Sequence, residues 1–183
     1  IIDCQPLPER APAAGAAATA KPNNMQVLLV AVRRGFVEDH IAMLRSAGIA
    51  PEVIDVDVFA VANAYEMFGP GGEEAEKQAT ALIDIGASKS NIAIVQGNRL
   101  LFTREVYLAG NEITDAIVRT FNESNEDVER IKSAPGEALE ALLDAAMPAF
   151  EDLANEIRLS FDYVEGQFDQ QVSTVVLTGG SKT

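Results

Sequence analysis

Residues Ala81 to Val95 read ALIDIGASKSNIAIV. An apolar run ends at Asp84 and Ile85, Gly86 and small residues follow, and a second apolar run starts beyond Ser90. Two buried strands joined by a tight turn account for the pattern. A carboxylate delivered to the end of a strand can hold a hydrated divalent cation. Gly86 lets backbone approach closely, and Ala87 adds no bulk. Such a turn aims backbone N–H groups, with the hydroxyls of Ser88 and Ser90, at phosphate oxygens. Mg²⁺ suits the arrangement because it keeps several waters and takes only one or two carboxylates. The plain alternative is an ordinary hairpin in which Asp84 caps its own turn.

Two further stretches bear on the choice. VVLTGG, Val175 to Gly180, is another buried strand ending in small residues. Its paired glycines let backbone lie flat against a base or ribose, although Thr-Gly-Gly also makes an ordinary turn. In VIDVDVFAVANA, Asp57 stands at a strand-to-helix junction. It could orient a water for attack on a terminal phosphate, or simply cap the helix.

Composition narrows the field. The 183 residues are 48% hydrophobic, enough for one domain or two small subdomains. Tryptophan is absent and aromatics are 6%, so aliphatic and alanine packing dominates. A net charge of -14 repels a nucleic-acid backbone. Residues 1–110 hold 9 basic and 13 acidic side chains, residues 111–183 hold 5 and 15, so the acid concentrates in the C-terminal part. That reads as a solvated helical surface, or else as a docking face for a basic partner. Cys4 is the one cysteine, so neither an internal disulfide nor a cysteine zinc site forms. His40, the one histidine, sits in a helical pattern and leaves no hydrolytic triad. No apolar run approaches the about 20 residues that span a bilayer. The alanine-rich Ala11 to Ala20 lacks the leucine-rich core of a signal peptide. The chain opens inside a strand-like run and closes just after a strand and its glycine turn, which reads as a fragment of a longer protein.

The expected order starts with a strand at IIDCQPL, a flexible loop over 8–24, a buried strand at MQVLLVAVRR and a helix closed by Gly48. A third strand is expected after Pro51, then a helix from VFAVANAYEMF and a loop at GPGGEEAEK. Strands Ala79–Ile85, Asn91–Gln96 and Arg99–Tyr107 follow, with a GNR hairpin turn between the last two. Ile113, Ile117, Val118 and Phe121 mark one helix face, and Ser124 with Asp127 caps the next helix. A long helical stretch runs from about Gly136 to Phe168 with an apolar stripe from Leu139 to Phe168. Pro148 inside it should mark a kink or a fresh helix start. A buried strand ends the chain. Antiparallel strands followed by a helical crossover give an α/β fold of the ribonuclease H or actin kind, with mixed β-sheets packed by helices.

Three of these pieces, in this order, resemble the actin-like ATPase superfamily. LIDIGASKSNIAIV is similar to its second phosphate motif, and VVLTGGSKT to its adenosine motif. DVFAVANA, from Asp57, is similar to its first connecting segment, with Asp-Val where the superfamily often has Glu-Pro. The resemblance is closer to the PilM family of type IV pilus assembly proteins, through QVLLVAVRRGFVEDHIAMLRSAGIAPEVIDVDVFAVANA, LIDIGASKSNIAIVQGNRLLFTREVYLAGNEITDAI and LANEIRLSFDYVEGQF. It implies an FtsA-like inserted subdomain over 1–57, a connecting helix and loop over 58–76, and a second actin-like lobe over 77–183, truncated after the adenosine motif.

The resemblance also implies a cytoplasmic protein that binds ATP and Mg²⁺ between two lobes. It would dock peripherally on the bacterial inner membrane by gripping the cytoplasmic N-terminal peptide of PilN, and through it reach PilO and the pilus motor proteins. Asp84 would sit at the metal, through water, and at the phosphates with Gly86, Ser88 and Asn91. Gly179 and Gly180 would face the adenosine, and Asp57 would orient the water. Self-association stays open. The family's first phosphate motif and the lobe carrying it have no counterpart here. This chain alone is therefore expected to bind ATP weakly or not at all and to be inactive, and the full-length protein to be at most a weak ATPase. Within the superfamily the rivals are a sugar or acid kinase, a type II secretion platform and an FtsA-like filament former. A P-loop is rejected, because G-x-x-x-x-G-K-[ST] would need glycines where Val176 and Ser181 stand.

Overall fold

The computed structural model describes residues 1–6, 25, 27–70 and 77–180. The expected loop over 8–24 lies outside them. The chain divides into two compact units, residues 1–54 and 55–183.

In the first unit, β1 (Ile2–Pro6) pairs antiparallel with β2 (Val27–Ala31), with Cys4 opposite Leu29. Helix α1 (Arg34–Ser46) follows. Its end is set by Gly48 at φ +80: Gly48 N–H donates to Arg45 O at 3.0 Å and Ile49 N–H to Leu44 O at 2.9 Å. This paired closure needs the left-handed conformation that glycine adopts without strain. The strand expected after Pro51 does not form. Residues 51–56 join no ladder among the described residues, and Val53 and Ile54 are exposed. Their apolar, β-branched composition favours extended backbone, but a strand also needs a partner.

The second unit contains α2 (Asp57–Phe68), β3 (Ala79–Ile85), β4 (Ser90–Gln96) and β5 (Arg99–Val106). Helices α3 (Gly110–Phe121), α4 (Asn125–Ser133) and α5 (Leu139–Phe168) lead to β6 (Val172–Thr178). The sheet order is β5-β4-β3-β6, antiparallel except for the parallel pair β3 and β6. The helical crossover from β5 back to β6 is the one the sequence order implies. The hairpin between β4 and β5 turns at Gly97, φ +57.

Alternation along β3 and β4 serves two cores. Ala79, Ala81, Ile83, Ile92 and Ile94 face Leu153, Val164, Ile157 and Phe161 of α5. Leu82, Ala93 and Val95 face Val58, Val61, Ala62 and Tyr65 of α2. Both strands are covered on both sides, which is why they read as continuous apolar runs. Burying each of Ile83, Ile92 and Ile94 contributes about 1.5–3 kcal/mol. Helix α2 belongs to this sheet as its second cover.

A third cluster joins Ile113 and Ile117 of α3, Val128 of α4, and Leu142 and Ala146 of α5. Ser124 caps α4, its hydroxyl oxygen accepting from Asp127 N–H at 3.2 Å. Pro148 does not start a new helix: α5 runs through it as one element of 30 residues. Packing of the same helix in two cores offsets the one intrahelical bond that proline removes. The apolar stripe is only half core. Leu142, Ala146, Leu153 and Val164 are buried, but Leu139, Leu143, Met147 and Phe150 are exposed. The Arg104 guanidinium of β5 pairs with Glu156 at 2.5 Å and ties the middle of α5 to the sheet.

Candidate functional site

Register places four polar residues in one row across the whole sheet. Thr178 of β6 pairs with Asp84 of β3, Asp84 with Asn91 of β4, and Asn91 with Glu105 of β5. Asp84 lies two residues beyond Leu82, and Asn91 two before Ala93, so the row continues the α2 face where its apolar packing ends. Asp84 is half-buried and Asn91 buried. The predicted phosphate residues Asp84 and Asn91 are thus neighbours.

The turn between β3 and β4 is held from two sides. Gly86 N–H donates to Lys89 O at 3.0 Å, and a Cβ at Gly86 would stand 2.9 Å from that same oxygen. Gly110 N–H donates to Gly86 O at 3.0 Å and Asn111 N–H to Ala87 O at 2.7 Å. The first N–H groups of α3 therefore grip the turn's carbonyls, satisfying donors that a helix start leaves orphaned. Ser88 is exposed at the tip. Ser90 is not available to a phosphate: it is fully buried, and its hydroxyl donates to Leu108 O at 2.6 Å. Alternation turns it to the sheet face opposite Asp84.

The glycines expected at the adenosine differ from one another. Gly179, at φ +100, abuts the backbone of Ile85, where a Cβ would collide. Among the described residues nothing lies within 4 Å of a Cβ at Gly180. The first glycine joins the ends of β6 and β3, and the second faces open space.

Asp57 is the first residue of α2, with Val56 at the cap position, so it is not the N-cap. Its carboxylate complements the helix dipole and pairs with Lys89 Nζ at 3.0 Å. The same ammonium reaches Glu105 at 2.7 Å. Hydrogen bonding to Glu105, then to Asp57, raises the Lys89 pKa well above its ordinary 10.5. The bond from Lys89, then one from Tyr107, lowers that of Glu105. Lys89, Glu105 and Thr178 are the members that motif reading missed. Lys89 stood inside the quoted turn, but Glu105 and Thr178 become visible only once the register is known.

The residues suit a hydrated cation. Among the described residues no group of three His, Cys, Asp or Glu side chains could enclose a metal. Asp84, a strand-end carboxylate flanked by Thr178 and Asn91, could serve Mg²⁺ as one ligand to an ion that keeps most of its waters.

A family model described as type IV pilus assembly protein PilM matches residues 15–183. The chain is similar to a solved PilM-PilN type IV pilus biogenesis complex: 27% identity, TM-score 0.76, covering 99% of this chain and 49% of that one. Ethanolamine utilization protein EutJ from Carboxydothermus hydrogenoformans aligns with TM-score 0.59 at 18% identity, over 76% of this chain and 46% of that one. MreB5 of Spiroplasma citri bound to AMPPNP aligns with TM-score 0.55 at 15% identity, over 81% and 54%. These two show the fold alone, which is the actin-like one expected. The chain spans about half the length of the solved structures it matches. No helix among the described residues is long and apolar enough to cross a membrane. With the family model matched across residues 15–183, the chain belongs to the type IV pilus assembly protein PilM family.

Proposed function

We propose that the protein containing this chain is a nucleotide-binding, actin-like scaffold of type IV pilus assembly. In this reading the chain supplies one wall of the cleft. Asp84 holds Mg²⁺ through water, Ser88, Asn91 and Gly86 border the phosphates, and Gly180 lies beside the adenosine with Gly179 supporting it. The scaffold docks on the inner membrane through the cytoplasmic N-terminal peptide of PilN, and PilN in turn reaches PilO and the motor proteins. One observation carries the nucleotide part: the Thr178–Asp84–Asn91–Glu105 row sits where β3 and β6 end side by side. The likeness to a PilM-PilN complex supports the partner. Asp57, at the start of α2 and paired with Lys89 in the absence of ligand, is the candidate for orienting a water, in a protein read here as at most a weak ATPase.

The test is calorimetry on the full-length protein with Mg·ATP and, separately, a PilN N-terminal peptide. Both should bind, and Asp84→Ala should weaken ATP at least tenfold while leaving the fold and the peptide affinity intact. Unchanged ATP affinity in that variant removes Asp84 from the site. ATP binding without peptide binding removes the PilN docking.

A further inference from the structure

We infer that Lys89 is an exchangeable phosphate contact: its ammonium gives up the Asp57–Glu105 bridge for phosphate oxygens when a Mg-nucleotide docks beside Asp84. The inference rests on the nucleotide reading of this site.

Position comes first. Lys89 closes the turn, its carbonyl accepting from Gly86 N–H at 3.0 Å, so its backbone is fixed against the strand end that carries Asp84. From there a long, flexible side chain can swing its three donors over a wide arc.

Charge comes second. Asp57, Asp84 and Glu105 bring three carboxylates to this end of the sheet. The cation next along β5 is turned away, because Arg104 pairs with Glu156 of α5 on the opposite face. A polyphosphate entering here meets net negative charge, which Mg²⁺ offsets only in part. Among the described residues, Lys89 is the side chain placed to offset more of it.

Exchangeability comes third. The Asp57 and Glu105 side chains are 61% and 37% exposed, so both can return to water when the ammonium leaves. Pairs this open are held weakly. A doubly charged phosphate oxygen cluster competes well against them, since charge-assisted bonds to phosphate are among the strong ones.

A plain strut predicts something different. If Lys89 only ties α2 to β4 and β5, removing it lowers stability and leaves nucleotide affinity alone. If it is exchanged onto the ligand, the two bridging partners compete with phosphate, and removing a competitor tightens binding.

The experiment is Mg·ATP calorimetry on the full-length protein as wild type, Asp84→Ala, Lys89→Met, Lys89→Arg and Glu105→Gln, with thermal unfolding of each. Lys89→Met should weaken ATP about tenfold. Lys89→Arg should keep most of the affinity, and Glu105→Gln should tighten it about two- to fivefold. If wild type binds and Asp84→Ala weakens it but Lys89→Met matches wild type, the exchange is overturned and the cleft reading stands. If wild type does not bind, both fall. If Lys89→Met does not fold, Glu105→Gln decides: tighter binding supports the exchange, unchanged or weaker binding overturns it.

Discussion

Gly179, where β6 ends, lies flat on the backbone of Ile85, where β3 ends. The contact locks the two parallel strands together one step beyond the Asp84–Thr178 pair. It leaves no room for a Cβ, and the φ of +100 is one that other residues resist. Gly179→Ala should therefore destabilise the chain by about 3 kcal/mol, combining overpacking with backbone strain. Gly180→Ala, into open space, should change stability by less than about 0.5 kcal/mol. Urea unfolding of the pair checks this, and equal losses would contradict it.

Helix α5 supplies a second contrast. Val164 is fully buried against the sheet, while Leu143, on the same sequence stripe, is 45% exposed. Val164→Ala should cost about 2 kcal/mol, and Leu143→Ala about 0.5 kcal/mol despite removing more carbon. Chemical denaturation midpoints with constant slope would establish the order.

Much of this was legible in the residues, and the limits have physical causes. Strands buried on both faces announce themselves as apolar runs, as β3 and β4 do; β2 and β6, expected buried on the same signal, are instead open strands with Leu29, Val175 and Leu177 exposed, because apolar composition does not supply the cover that burial needs. Gly48 and the Ser124–Asp127 pair marked helix ends because their chemistry is local. The segment after Pro51 misled because extended preference does not supply a partner strand. Of the two readings of Pro148, the fresh helix start does not occur, because tertiary packing carries α5 through a local breaker. Within the site, Asp84 and Gly86 were readable from one turn. Ser90 was not, since its direction depends on strand alternation, and Glu105 joins the row only through a register set by two hairpins.

Acid should weaken the folded state below about pH 5. Glu105 has a lowered pKa through Lys89 and then Tyr107, and Glu129 through Lys132 and then Thr114. A carboxylate lowered on folding contributes stability above its unfolded value, here 4.5, and loses it as pH falls through the folded value. Lys89, raised on folding, contributes below 10.5 and loses that only as pH rises further. The Lys89–Glu105 pair is thus whole between these windows. Unfolding followed from pH 3 to pH 7 should show a smaller acid slope in Glu105→Gln than in wild type, and identical slopes would remove Glu105 from the linkage.

The two serines of the turn should separate binding from folding. Ser90 is fully buried and donates to the Leu108 carbonyl at 2.6 Å, on the face away from Asp84. Ser90→Ala leaves that carbonyl without its donor and should cost about 1–2 kcal/mol of stability. Mg·ATP affinity of the full-length protein should stay within about twofold, because no hydroxyl that faces the cleft is lost. Ser88 is exposed at the tip, so Ser88→Ala should leave stability within about 0.5 kcal/mol. If its hydroxyl borders the phosphates, affinity should fall about fivefold, the scale of one neutral hydrogen bond. Calorimetry and thermal unfolding on both variants give four numbers. The opposite pattern, with Ser90 governing affinity and Ser88 governing stability, would mean that ligand enters from the α5 face and that the cross-sheet row is not the floor of the site.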